Sequence, residues 1–213
     1  MTALIILAIA IWVGALLLNW NWKRPSRIGK GGENFVSRKL FELDSEHYKV
    51  LDDLMLPSRG NTNTTQIDHI VVSDFGIFCI ETKSYSGWIF GHAKQQHWTQ
   101  VIYRYKKKFY NPLRQNYAHI KAVEAIVSPK YPKVPIRGFI AFPSAEMLSI
   151  SGTDAVGHVK DVLVKIKALN APVLSPAVRF VIVGLLLNAN IQDKQARKLH
   201  NKSVRGLKVS NGF

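Results

Sequence analysis

The stretch Gln66-Ile67-Asp68-His69-Ile70-Val71-Val72-Ser73-Asp74-Phe75-Gly76-Ile77-Phe78-Cys79-Ile80-Glu81-Thr82-Lys83 decides the reading of the chain. Two runs dense in Ile, Val and Phe are parted by Asp74 and Phe75, the pattern of a β-hairpin with a tight turn. With Asp74 and Phe75 as the loop, Ser73 pairs with Gly76, Asp68 falls opposite Glu81, and Gln66 falls opposite Lys83. Side chains alternate along a strand, so Gln66 and Asp68 share a face, as do Glu81 and Lys83. Directly opposed residues place their Cβ atoms about 4.5–5.5 Å apart. Two carboxylates and a lysine therefore converge on one patch, and Ile70, Val72, Ile77 and Cys79 continue that face as an apolar floor.

Adjacent carboxylates repel, which raises one pKa unless a cation neutralises them. A hard divalent ion does so with oxygen ligands and retained waters, which makes Asp68 and Glu81 the candidate metal ligands and magnesium the expected ion, with manganese as its substitute. A neighbouring lysine can polarise an attacking water while such an ion stabilises charge on a phosphate. Glu33 is a fourth candidate. It stands three residues before Val36 and seven before Leu40, a helical spacing that turns it toward the buried face. Its alternative role is a first-turn acid complementing the helix dipole.

Working outward, Gly31-Gly32 opens a helix through Leu43, and Lys49 to Asp53 reads as a first strand. Pro57 to Thr65 is a loop. Trp88 to Phe90 follows the turn at Ser86-Gly87, and His97 to Ile102 with Lys107 to Tyr110 forms a further hairpin. Asn111-Pro112 suits a helix entry, and that helix runs to about Val127. Val134 to Phe142 is a strand. Gly157 to Leu169, Pro176 to Leu187 and Asp193 to Asn201 are helices, so 144–213 reads as a helical C-terminal region. The order predicts an α/β (α+β) layer built on one mixed central sheet.

Ala3 through Leu18 is uninterrupted by charge, and Met1, Thr2 and Asn19 extend it toward the roughly 20 residues that span a bilayer. Trp20 and Trp22 follow as an interfacial belt, then Lys23, Arg24, Arg27 and Lys30. No basic residue precedes the run, so the charge asymmetry predicts a single-pass anchor at residues 1–20 in the cell membrane. Residues 21–30 form a basic linker and the globular part is cytoplasmic. A cleaved signal peptide needs a positive start and a small-residue cleavage site, and Leu17-Leu18-Asn19-Trp20 offers neither. A buried core helix is the other reading of the same run.

Lys and Arg number 29 against 14 Asp and Glu, a net charge of +15 that points to nucleic acid, anionic lipid, or both. The single Cys79 excludes an intramolecular disulfide framework, and the seven His show no zinc-type spacing. Arg104, Lys106, Lys107 and Lys108 form the densest basic run, either a phosphate-backbone contact or a solvated hairpin tip. The basic region from Lys194 to Lys208 suits DNA, RNA or an anionic leaflet. His69 reads as a structural histidine, and His119 shares a helix face with Gln115, with a place near the site or a surface role as its two readings.

Gly31-Gly32-Glu33, Gln66-Ile67-Asp68-His69, Gly76-Ile77-Phe78, Ile80-Glu81-Thr82-Lys83, Gly87, Trp98 and Asn111-Pro112 with Gln115-Asn116 resemble the nuclease-related domain (NERD) family, over about Gly31 to Phe142. The resemblance implies a restriction-endonuclease-like core over residues 31–143 and a metal-dependent nuclease activity of the PD-(D/E)xK class. It implies Glu33, Asp68, Glu81 and Lys83 as the active-site set, with Gln66 and Gln115 as accessory polar positions. Ile67 stands where the wider class often has proline. The expected enzyme is a membrane-anchored magnesium-dependent phosphodiesterase acting on DNA in preference to RNA. The alternative is a membrane-tethered nucleic-acid or protein-binding module that keeps the fold and cleaves little.

Overall fold

A computed structural model describes residues 29–59 and 63–210, with side chains to residue 203. The apolar run Ala3–Leu18 lies outside the described residues, and among those described no helix is long and apolar enough to cross a membrane. Helix α1 covers 29–40, so residues 29 and 30 are helical rather than linker, and the helix stops three residues before Leu43. Strands β1 (Tyr48–Pro57), β2 (Thr64–Ser73), β3 (Gly76–Thr82), β4 (Gly87–His92), β5 (His97–Ile102) and β6 (Tyr105–Tyr110) follow. Helix α2 (Pro112–Val127) precedes β7 (Ile136–Ala141), β8 (Ala145–Ser151) and β9 (Val156–Gly157). Helices α3 (Val159–Lys167), α4 (Pro176–Ala189) and α5 (Lys194–Ser210) complete the chain.

The α/β class stands, but the strands form two mixed sheets, not one. The larger runs β1-β2-β3-β7-β9 and the smaller β6-β5-β4-β8. The region after residue 143 is therefore not wholly helical: β8 pairs in parallel with β4 and β9 with β7. These pairings were invisible in the sequence because β9 is two residues long and β8 joins a strand more than 50 positions earlier. Local periodicity carries no record of such a partner.

The hairpin register is as expected where the ladder runs, with Ser73 opposite Gly76, Val72 opposite Ile77 and His69 opposite Ile80. The parity of β3 then splits the core. Ile77 and Cys79 pack with Ala122, Val123 and Val127 of α2 and Ile182 and Leu186 of α4. Phe78 and Ile80 face Val36 and Leu40 of α1 and Val162 and Ile166 of α3. Burying each such side chain contributes about 1.5–3 kcal/mol, so the larger sheet is held between two helical layers. A third cluster, Ile89, Trp98, Phe109, Ile140 and Phe142, joins the two sheets.

Helix α2 is placed with care. Asn111 caps it by accepting from the Leu113 N–H (2.9 Å), while its own amide donates to the Ala93 and Gln95 carbonyls of the smaller sheet's β4–β5 connection. Asn116, one turn in, donates to the carbonyls of Cys79 and Phe139 at 3.1 Å each, bridging β3 and β7. Gly138 makes this approach possible, since a Cβ there would come within 2.6 Å of the Asn116 amide nitrogen.

Candidate active site

The C-terminal end of β3 carries the constellation. Glu81 is buried, and the parity it shares with Ile77 and Cys79 turns it toward α2. Lys83 Nζ donates to Glu81 Oε1 (2.6 Å) and to Gln115 Oε1 (2.9 Å). His119 Nε2 meets Glu81 Oε2 at 3.0 Å, and its Nδ1 meets Thr65 Oγ1 at 2.7 Å. A proton on Nε2 lets the ring donate to the carboxylate. Gln115, Asn116 and His119 sit on consecutive turns of the helix that Asn111 and Asn116 anchor, which is why a segment more than 30 residues away delivers two polar groups to Glu81 and Lys83.

Asp68 reaches the same strand end by another route. The β2–β3 ladder ends at His69 opposite Ile80, and one step on, the Asp68 carboxylate itself accepts the Thr82 N–H (2.8 Å). Across β1, Asp53 takes a left-handed backbone (φ 55°) between the pairs Asp52–His69 and Leu54–Ile67. Leu51 and Leu54 consequently enter one core, as do Ile67 and Ile70, so the alternation breaks in both strands. Such an irregularity re-aims side chains, and it corrects the simple face argument here. Gln66 is not brought to Lys83; its amide donates to Asp53 Oδ1 (2.6 Å). Thr65 instead shares the α2 side with Glu81.

The electrostatics divide the two carboxylates. Burial raises the Glu81 pKa, but the Lys83 ammonium and the His119 hydrogen bond outweigh it and hold the group at about 2. Burial opposes the charge on Lys83, and Glu81 more than compensates, so that amine is held above its ordinary value. Asp68 goes the other way. Burial first, then the Glu81 charge, push it well above the ordinary carboxylate value, against the Thr82 N–H and Lys83. Glu33, half-buried on α1, is raised mainly by burial, with His69 opposing and Glu81 and Asp53 adding. It therefore lies within electrostatic reach of the cluster. Gly32, beside it, is a glycine because a Cβ would meet the Ser84 hydroxyl at 1.8 Å, so α1 abuts the chain just past Lys83.

Among the described residues no three His, Cys, Asp or Glu side chains form a ready-made metal cage. The donor set nonetheless suits magnesium, which keeps several waters and takes one or two carboxylates. Asp68 is a carboxylate that burial and Glu81 destabilise, and among the described residues no cation forms an ion pair with it. Asp68 and Glu81 are the residues that would hold such an ion, and its charge would relieve that repulsion.

His69 occupies the α1 side, where Nδ1 meets Asp52 (2.7 Å) and Nε2 meets Thr82 Oγ1 (3.1 Å). It is buried with both ring nitrogens partnered. His119 is buried rather than superficial, and the four-residue step from Gln115 was its only signal. Thr65 and Asp53 had none. Arg104 lies in the β5–β6 turn, and Lys106, Lys107 and Lys108 are exposed on β6, the edge of the smaller sheet.

Compared with known proteins, residues 28–143 match the family NERD, nuclease-related domain. The chain is similar to an uncharacterized protein of Bacillus anthracis, pXO1-01, at 37% identity over 179 residues, 84% of each chain. It also aligns with the crystal structure of a protein of unknown function, AF1548, at 16% identity and TM-score 0.33, covering 87% of this chain and 100% of that one.

Proposed function

The chain belongs to the nuclease-related domain family, and from that premise we propose that it is a metal-dependent nuclease hydrolysing phosphodiester bonds of DNA in preference to RNA. The observation that carries the reading is the convergence of Asp68, Glu81 and Lys83 at one strand end, with the two carboxylates shifted in opposite directions. Magnesium held by Asp68 and Glu81 would supply positive charge against a scissile phosphate. Lys83, fixed by Glu81 and Gln115, orients and polarises the attacking water. His119 holds Glu81 in one rotamer, and Thr65 holds His119. Glu33, with its raised pKa, positions water from the α1 side. The proposal retains a membrane anchor at residues 1–20, supported by the apolar run and the basic residues after it; proteolysis of the domain from outside sealed spheroplasts would overturn that orientation.

One observation favours a second reading. Both Glu81 oxygens already have cationic or N–H partners, Lys83 and His119, an arrangement that also suits a binding module needing no metal. The deciding experiment incubates the purified chain with supercoiled plasmid, single-stranded DNA and RNA, in magnesium, manganese or chelator. Cleavage that requires the metal and disappears in Lys83→Ala supports the enzyme. Binding without cleavage in either metal, or undiminished cleavage by Lys83→Ala, overturns it.

A further inference from the structure

Helix α5 lies outside the matched family segment, yet it is fastened to β1 and to the start of β2, the strand that carries Asp68. Two contacts fix it. Arg197 donates to Asp53 Oδ2 and to the Asp53 carbonyl, both at 2.9 Å, and Asp53 is the left-handed residue of β1 that also receives Gln66. His200 Nδ1 meets Thr64 Oγ1 at 2.9 Å, next to the Thr65 that holds His119. Arg197 and His200, three residues apart, thus define the docked side of the helix.

Lys194, Lys198 and Lys202 recur every four residues on a different flank, rising about 6 Å per step. All three are exposed, and none has an ion-pair partner among the described residues. From Lys194 to Ser210 the sequence holds no acid at all. A row of exposed ammonium groups on a helix without acids makes a positive surface that attracts an anionic ligand. The contrast with Lys106, Lys107 and Lys108 sharpens the point. Those follow one another on a strand, so alternation sends Lys107 to the face of Phe109 and the other two to the opposite face. They make no single row, and lysines on an edge strand also serve to prevent edge-to-edge pairing.

We propose that α5 is the rail that grips the phosphate backbone of a nucleic acid beside the site, through Lys194, Lys198 and Lys202. The inference takes from the proposed function only that the ligand of the site is a nucleic acid. It is tested by binding, not by cleavage. Fluorescence anisotropy of the full chain with a short labelled DNA duplex, in chelator and across a salt series, is compared with a variant carrying Lys194→Gln, Lys198→Gln and Lys202→Gln. Arg197 and His200 stay, so the helix remains docked, and glutamine keeps its helix propensity. The slope of log affinity against log salt should flatten by roughly 2–3, about 0.9 for each phosphate no longer neutralised. Arginine at the three positions should restore it. Lys106→Gln with Lys107→Gln and Lys108→Gln should flatten it less. An unchanged slope in the α5 variant overturns the proposal. So does an intact slope together with lost preference for phosphatidylserine over phosphatidylcholine vesicles, which assigns the rail to an anionic membrane. A chain that binds through α5 and never cuts refutes the nuclease reading and leaves the rail standing.

Discussion

Two histidine–carboxylate pairs face each other through the larger sheet, one on each side. On the α1 side, His69 bridges Asp52 and the Thr82 hydroxyl, and Ser37 supplies Asp52 with a second hydrogen bond at 2.5 Å. On the α2 side, His119 bridges Glu81 and the Thr65 hydroxyl, but the second donor to Glu81 is the Lys83 ammonium. The parts are almost the same, and the environments are not. The Asp52 side chain is 34% exposed, the Glu81 side chain 3%. Asp52 can share its charge with water, so a histidine and a serine suffice to hold it below its ordinary pKa despite burial. Glu81 cannot, and its charge is tied to a lysine with Asp68 close by. The same pair of residue types is a structural fastening in one place and part of a charged site in the other. Thr82 joins them, its hydroxyl on the His69 side and its N–H on Asp68.

The largest expected difference between the sides is in stability. Glu81→Ala leaves a buried ammonium unpaired and should cost about 3–5 kcal/mol, reduced by the relief Asp68 gains. Asp52→Asn loses mainly hydrogen-bond strength at a partly solvated position and should cost about 1 kcal/mol. Urea unfolding of both variants measures this. Equal losses would break the comparison.

A pH series sharpens it. Glu81 is depressed in the fold, so its stabilisation is complete above the ordinary value of 4.5 and is lost as pH falls from there toward about 2. The gap between wild type and Glu81→Ala should therefore close in that window. A gap that persists at the acid end contradicts the ion pair as its source.

Asp68 should behave in the opposite sense. Its pKa is raised, so its ionisation destabilises the fold as pH climbs past the ordinary 3.8 and through the raised value. In chelator at neutral pH, Asp68→Asn should raise the melting temperature by a few degrees, with the gain vanishing as pH approaches 3.8. Saturating magnesium should reverse the order by stabilising wild type alone. If Asp68→Asn melts lower than wild type in chelator, the repulsion between the carboxylates is not what governs this site.

The smallest effects lie at the outer hydroxyls. Thr65→Val and Ser37→Ala each remove one hydrogen bond to its respective pair, at about 1–3 kcal/mol for the buried Thr65 bond and about 1 kcal/mol or less for the exposed Ser37 bond. Only Thr65→Val should also slow cleavage, because it frees the His119 ring behind Glu81. Equal cleavage by the two variants would detach His119 from the chemistry.

Much of this was present in the sequence. The two-residue loop at Asp74-Phe75, with apolar runs on either side, set the hairpin register, because one buried face penalises any slip. Asn111-Pro112 placed the start of α2, since the cap and the proline both act within one turn. Glu81 and Lys83 shared a face by strand parity alone. The rest depended on partners distant in the chain. His119 became a partner of Glu81 only when α2 packed across β3 and β7 through Asn116. Strand β8 existed only once β4 offered it an edge. The left-handed backbone at Asp53 broke the alternation of β1 and β2 without shifting their register, and the structure places Gln66 on Asp53 and Asp68 on the Thr82 N–H. Helix α5 docked on β1 because Arg197 met Asp53. Period and capping act over a few residues and can be read along the chain. Which strand edge is free, where a ladder breaks and which polar groups meet in the interior are settled by packing the whole molecule at once.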